Sequence, residues 1–332
     1  MKNNFTKSIT LLLLMLGLYS CKKEDQTTTK TLLVEPSAPV RYRDSVFATV
    51  DASIMNVSYR IVKNFDIVED LKLDIYSPAN DTATKRAALI ILHGGAYSRP
   101  NPAISGEAGT RKSARGMATA YAKRGYVVFA ISYRRGKDFK AGQSPADSSM
   151  KVYEAIYRAV QDSRAAIRCI KSNANSVKID PDKLFIFGGG ATNVVYTDQN
   201  EVGNTFSSWG PLDGTGKFDY PGYNVKVKGT INIEGAMING NWINAGDPPV
   251  FSCYGTLDRF YYDSKTLVSI GYPLLQFTNG IKIHERLSSL GINCPPIVLY
   301  PGRDHGVNGT DPVAFNNTLN LSCDWMYNLL LQ

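Results

Sequence analysis

The sequence predicts an α/β fold, a mostly parallel central sheet flanked by helices on both faces. Strand-like and helix-like patterns alternate over most of the 332 residues, as layered α/β proteins require. Residues 87–92 and 126–133 are apolar almost without interruption, which suits central strands covered on both faces. A hydrophobic share of 43% can fill one sizeable core, with no internal repeat or second core in view.

The elements follow in order. Residues 59–66 and 71–77 read as a strand pair, the second alternating Leu71, Leu73, Ile75. A polar turn, 78–85, leads to the apolar strand 87–92, which ends at His93-Gly94-Gly95. Residues 107–123 read as a helix closed by Gly125, and 126–133 as the next strand. A long amphipathic helix is expected over 150–171, with Val152, Ile156, Ala159, Ser163, Ile167 and Ile170 on one face. Asp180-Pro181 turns into a strand at 183–187, which runs through small residues into a short helix from Ala191. Strands follow at 227–234 and 249–254, a helix at 279–290 closed by Gly291, and a strand at 296–300. Asp311-Pro312 supplies an N-cap and a first-turn proline for the final helix, running to about Leu330. The stretches 135–149, 203–223 and 259–272 are irregular and rich in aromatics, among them Trp209, Tyr220 and Phe260. Such loops either shape a pocket or pad the sheet ends.

The first residues have a different character. Lys2 and Lys7 precede a short apolar run, 9–18, and Leu18-Tyr19-Ser20-Cys21 resembles a bacterial lipobox. This predicts a lipoprotein signal peptide over 1–20, a lipid on Cys21, a flexible tether over 21–45 and one domain over 46–332. Lys22, rather than Asp, follows the cysteine, so the expected place is the outer membrane, on its periplasmic or cell-surface side. The net charge of +8 is spread along the chain without a basic block, which argues against a nucleic-acid partner. With Cys21 lipidated, Cys169, Cys253, Cys294 and Cys323 remain, and export would permit disulfides without fixing their pairing. No paired-cysteine motif points to a metal, and no cofactor motif is present. Cys253, inside a strand, reads as buried, and His284, in a polar helical context, as exposed.

Five blocks in a fixed order carry a resemblance: L-D-I-Y-S-P (73–78), H-G-G-A-Y (93–97), Y-V-V-F-A-I-S-Y-R (126–134), Y-G-T-L-D (254–258) and G-R-D-H-G (302–306). Together they resemble the carboxylesterases of the α/β-hydrolase superfamily, especially the feruloyl and acetyl-xylan esterases. The resemblance implies an acyl-ester or acylated-glycan ligand. It places His305 as general base, Asp258 as the group that orients it, and His93 as a brace for its loop. It also implies an oxyanion site from the backbone of Gly94, Gly95 and Ala96 together with the Ala191 N–H.

The departure lies at the nucleophile. Where these esterases carry G-x-S-x-G, residues 188–192 read G-G-G-A-T, so Gly190 stands at the serine position and Thr192 at the second glycine. No neighbour replaces the serine: Thr192 is expected to face into the helix and Ser98 to lie on the oxyanion loop. An elbow normally strains its central residue, a strain glycine avoids. Thr192 is expected to widen the turn. Three readings remain open: a catalytically impaired esterase that binds a ligand, an active hydrolase or lyase driven by His305 and Asp258 with water, and a non-catalytic interaction protein.

Overall fold

The computed structural model describes residues 38–99, 110–137, 139–198, 208–262 and 276–332. The expected signal peptide, Cys21 with its expected lipid, and most of the expected tether lie outside these residues. Among the described residues no helix is long and apolar enough to cross a membrane.

Nine strands form one sheet among the described residues: β1 (Val50–Asp51), β2 (Val57–Asn64), β3 (Ile67–Pro78), β4 (Arg86–Leu92), β5 (Val127–Ile131), β6 (Ile179–Phe187), β7 (Gly229–Ile233), β8 (Val250–Gly255) and β9 (Val298–Tyr300). The main path runs β1-β3-β5-β4-β6-β7-β8-β9, with β2 paired to β3. β1, β2 and β5 each pair antiparallel with β3, and every pairing from β5 through β9 is parallel.

Strand β4 shows why the apolar runs had to be central. Ala88, Ile90 and Leu92 pack on one face with Ile156, Val160 and Ile167 of helix α2 (Pro145–Ser172) and with Ala191 and Val194 of α3 (Ala191–Tyr196). The alternate residues Ala87, Leu89 and Ile91 pack on the other face with Met117 and Tyr121 of α1 (Arg115–Ala122) and with Leu319, Cys323 and Met326 of α7 (Pro312–Leu330). Between them lie α4 (Arg259–Tyr262), α5 (Gly280–Ser289) and α6 (Val307–Thr310).

Boundaries moved for local reasons. Helix α2 begins five residues earlier than its apolar face suggested. The Ser144 side chain accepts the Asp147 N–H and Pro145 occupies the first turn, an N-terminal stop signal lying in polar sequence. Strand β6 begins at Ile179, so Asp180-Pro181 lies inside it rather than in a turn before it. Asp311 caps α7 as expected, accepting the N–H groups of Val313 and Ala314. The domain starts earlier than the expected tether boundary of 45: the Arg41 guanidinium pairs with Asp81, the Tyr42 N–H donates to the Arg124 carbonyl, and the Tyr126 hydroxyl donates to the Tyr42 carbonyl. Cys169, Cys253, Cys294 and Cys323 are all free thiols, so none of the permitted disulfides forms among them.

Candidate active site

Loops at the carboxyl ends of the parallel strands carry the site. This is the edge where open α/β sheets place ligands. The loop after β4 holds His93 to Ser98, the turn after β6 holds Gly190, and β7 is followed by Glu234. Asp258 follows β8 and His305 follows β9.

The acid–base pair is assembled. His305 Nδ1 lies 3.0 Å from Asp258 Oδ2. Asp258 is 1% exposed, and its Oδ1 accepts the Phe260 N–H at 2.9 Å. A buried carboxylate facing Nδ1 requires the proton on that nitrogen and leaves Nε2 as the outward basic atom. The Phe260 ring lies 5.1 Å from the imidazole between centroids. The loops interlock through backbone bonds, Thr256 N–H to the Tyr300 carbonyl and Leu257 N–H to the Arg303 carbonyl.

Glu234 belongs to this cluster and was not foreseen. Its carboxylate accepts the Gly306 and Val307 N–H groups, each at 2.8 Å, and so pins the loop that presents His305. The available signal was position: an acidic residue directly after a central parallel strand. Burial raises the Glu234 pKa, against the opposing pull of His305 and the two backbone amides. For His305, partial desolvation of the half-exposed ring pulls the pKa down, but the hydrogen bond and charge of Asp258, with Glu234 and Asp304, outweigh it and hold the imidazole above its ordinary value.

Because the folded pKa lies above the unfolded one, this interaction stabilises the fold fully below the unfolded pKa. It is lost as pH rises through the folded value. We expect the His305 NMR titration midpoint to lie above that of a free histidine and to fall in Asp258→Asn. An unchanged midpoint would show that Asp258 does not set it.

Glu234, Asp258 and His305 each offer a ligand atom within 4.8 Å of the others, a group that could hold a cation. Every carboxylate oxygen of that group already accepts a backbone N–H or the imidazole. The arrangement reads as a hydrogen-bonded base assembly.

The turn after β6 differs from the expected elbow. Gly190 has φ −94° and ψ −2°, an ordinary right-handed conformation open to any residue, so neither strain nor glycine's freedom is at work there. Glycine is required at Gly188, whose φ is +139° and where a Cβ would meet the Leu92 carbonyl oxygen. What a side chain at Gly190 would meet is Tyr97: a Cβ built there falls against the Tyr97 hydroxyl oxygen, so the Tyr97 side chain would have to shift. The Ala191 N–H, expected at an oxyanion, donates instead to the Gly188 carbonyl at 3.1 Å. Thr192 is fully buried, and its hydroxyl has no hydrogen-bond partner among the described residues.

The loop after β4 turns sharply through positive φ at Gly95 (110°), Ala96 (48°) and Tyr97 (57°), while Gly94 is exposed with open space around it. His93 braces this loop. It stacks on Tyr133 with centroids 4.4 Å apart, its Nδ1 lies 2.8 Å from the Gly94 carbonyl, and its own carbonyl accepts the Tyr133 hydroxyl at 2.5 Å. Burial lowers its pKa to about 4.

His284 corrects the exposed reading: its Nε2 lies 2.9 Å from the buried Ser252 hydroxyl, and burial lowers its pKa to about 4. Cys253 is fully buried, its sulfur accepting Asn308 Nδ2 at 3.2 Å and the Thr318 hydroxyl at 3.6 Å, and burial outweighs these bonds and raises its thiol pKa to about 12. It is no substitute nucleophile.

Known proteins share this frame. Residues 73–195 match the BD-FAE family. A stretch of 159 residues, 46% of this chain, is 29% identical to gut esterase 1 of Caenorhabditis briggsae, and the match spans 25% of that protein's length. Esterase 2 of Thermogutta terrifontis phosphorylated by paraoxon superposes with a TM-score of 0.58 at 21% identity, covering 84% of this chain and 95% of that one. Its propionate-bound form gives 0.58 at 20% identity over 86% and 95%. Likenesses at these identities carry the fold and not the chemistry. Together with the sheet order and the strand-end loops, they identify an esterase-like domain of the α/β-hydrolase fold.

Proposed function

We propose that the chain is an exported lipoprotein whose esterase-like pocket binds an acyl-ester or acylated-carbohydrate ligand, with serine catalysis disabled. The observation that carries this reading is the Tyr97 hydroxyl occupying the space of a side chain at position 190. The attacking atom is missing and its volume is filled. The engaged Ala191 N–H removes a second element of ester cleavage. Losing a triad nucleophile typically lowers kcat about 10⁶-fold, and losing one oxyanion donor costs a further 10²–10³-fold or so. Thermogutta esterase 2 was solved with propionate and with butyrate bound, which supports a pocket in this frame that takes short acyl groups.

The intact His305–Asp258 pair favours one other reading, general-base activation of water or of a substrate C–H. The imidazole is 53% exposed at the strand ends, so a ligand can reach it.

One assay separates the two. The secreted form of the protein is incubated with a fluorophosphonate probe and with p-nitrophenyl acetate or acetylated xylan. We expect no covalent labelling and no turnover. Turnover without labelling that disappears in His305→Ala would establish the water-based reading instead. Labelling of any residue would end both. The anchor is tested separately by metabolic labelling with a fatty-acid analogue, expected in the wild type and absent in Cys21→Ser.

A further inference from the structure

We infer that the Tyr97 hydroxyl is a ligand-binding group, a neutral donor presented to the carboxylate oxygen of a bound acyl acid. The inference rests on the ligand-binding reading above and names the group that does the binding. The hydroxyl stands where the nucleophile's side chain would begin, the point at which an acyl group meets residue 190 in an esterase of this fold. It has no hydrogen-bond partner among the described residues, although burial around the ring is enough to raise its pKa above the ordinary phenol value. A phenol so placed stays protonated at neutral pH, and its side chain is only partly buried, so the hydroxyl keeps a hydrogen to donate to an incoming ligand.

The ring is held in place. Tyr97 adopts a left-handed φ of 57°, uncommon for an aromatic residue. Its carbonyl fixes that conformation by accepting the Gly136 N–H at 2.8 Å. Its ring lies 6.0 Å from that of Tyr133, which is itself locked to His93. Strain of this kind persists where the surroundings over-determine it, and it clusters at ligand sites.

The ligand chemistry follows from what else stands at this edge of the sheet. The Ala191 amide, which would stabilise a tetrahedral oxyanion, is engaged in its own turn. Two side-chain donors at this edge suit a planar ground-state carboxylate, beside the exposed backbone of Gly94 to Ala96: the Tyr97 hydroxyl and, in its protonated form, the imidazole of His305. The acids Asp258, Glu234 and Asp304 surround that imidazole and favour its charged state.

The test is calorimetric titration of propionate, butyrate and benzoate, each beside its methyl ester, into the wild type and Tyr97→Phe, with thermal unfolding of both proteins. The substitution removes one oxygen that makes no internal hydrogen bond, so the unfolding temperatures should agree. We expect the wild type to prefer an acid over its ester, and Tyr97→Phe to weaken acid binding about 10- to 100-fold and abolish the preference, as loss of a hydrogen bond to a charged group does. Equal acid binding by both proteins overturns the role of Tyr97 and leaves the ligand-binding reading standing. No binding of any probe by the wild type overturns both.

Discussion

Gly190→Ser is expected to destabilise this protein by about 1–3 kcal/mol, the usual cost of overpacking a filled site, without yielding an efficient esterase. The backbone is not the obstacle, since φ −94° and ψ −2° suit serine. The obstacle is the Tyr97 hydroxyl oxygen, which lies where the serine Cβ must go. Relieving that contact means turning the Tyr97 ring, whose backbone is held by the Gly136 N–H and whose centroid lies 6.0 Å from that of Tyr133. Removing the oxygen alone should suffice: the next atom, Cζ, lies 3.4 Å from the built Cβ, an ordinary contact. Tyr97→Phe should therefore be near neutral by itself and should recover most of the loss in Gly190→Ser. Urea unfolding of the wild type, both single variants and the double variant gives the coupling, expected at about 1–2 kcal/mol. Additive effects would mean that the two positions do not compete for space. Even the double variant should stay slow on esters, because its Ala191 N–H still points into the turn.

This competition between residues 97 and 190 could not be read from the chain. The missing serine was visible in the register of residues 188–192, but what filled its place depends on how the loop after β4 folds back, through three consecutive positive φ values. The pairing of Asp258 with His305 was legible because both follow strands and their order matches the esterase pattern. Glu234 was not, since its role is to accept two amides from a loop some seventy residues later. Helix α2 shows the same division. Its expected face, Val152 through Ile170, is buried as periodicity implies, yet Arg158, Asp162, Arg164 and Arg168 on its other faces are buried too. Arg60 of β2, Asp213 and the Asp219 backbone close over that side with opposite charge and carbonyl oxygens. Hydropathy reports a polar face and carries no information about which ions will cover it.

That buried network sets the largest stability effect we expect, a loss of about 3–5 kcal/mol in Asp162→Ala, as when one partner of a buried ion pair is removed. Asp162 is fully buried. Its carboxylate accepts Arg60 Nη1 at 2.6 Å, Arg134 Nε at 2.9 Å and the Arg134 backbone N–H at 2.8 Å. The side chains of Arg60 and Arg134 are only 11% and 8% exposed; Arg60 keeps Asp219, but Arg134 keeps only the neutral Gln161 side chain and the Lys63 carbonyl and is left a buried charge without a carboxylate. Asp213 provides the contrast. It joins Arg164 and Arg168, but its own side chain is 42% exposed, so water can enter in its place and Asp213→Ala should cost clearly less. Chemical unfolding of both variants checks the order, and a cost below about 1 kcal/mol for Asp162→Ala would show that the arginines find other partners. The consequence reaches the site. Arg134 directly follows Tyr133, the residue that stacks on His93, binds its carbonyl and lies against the Tyr97 ring. Releasing the Arg134 N–H frees the end of β5 on which that brace stands. Asp162→Ala should therefore weaken acid binding as well, whereas Asp213→Ala, whose carboxylate pairs with Arg164 and Arg168 and not with Arg134, should leave it unchanged.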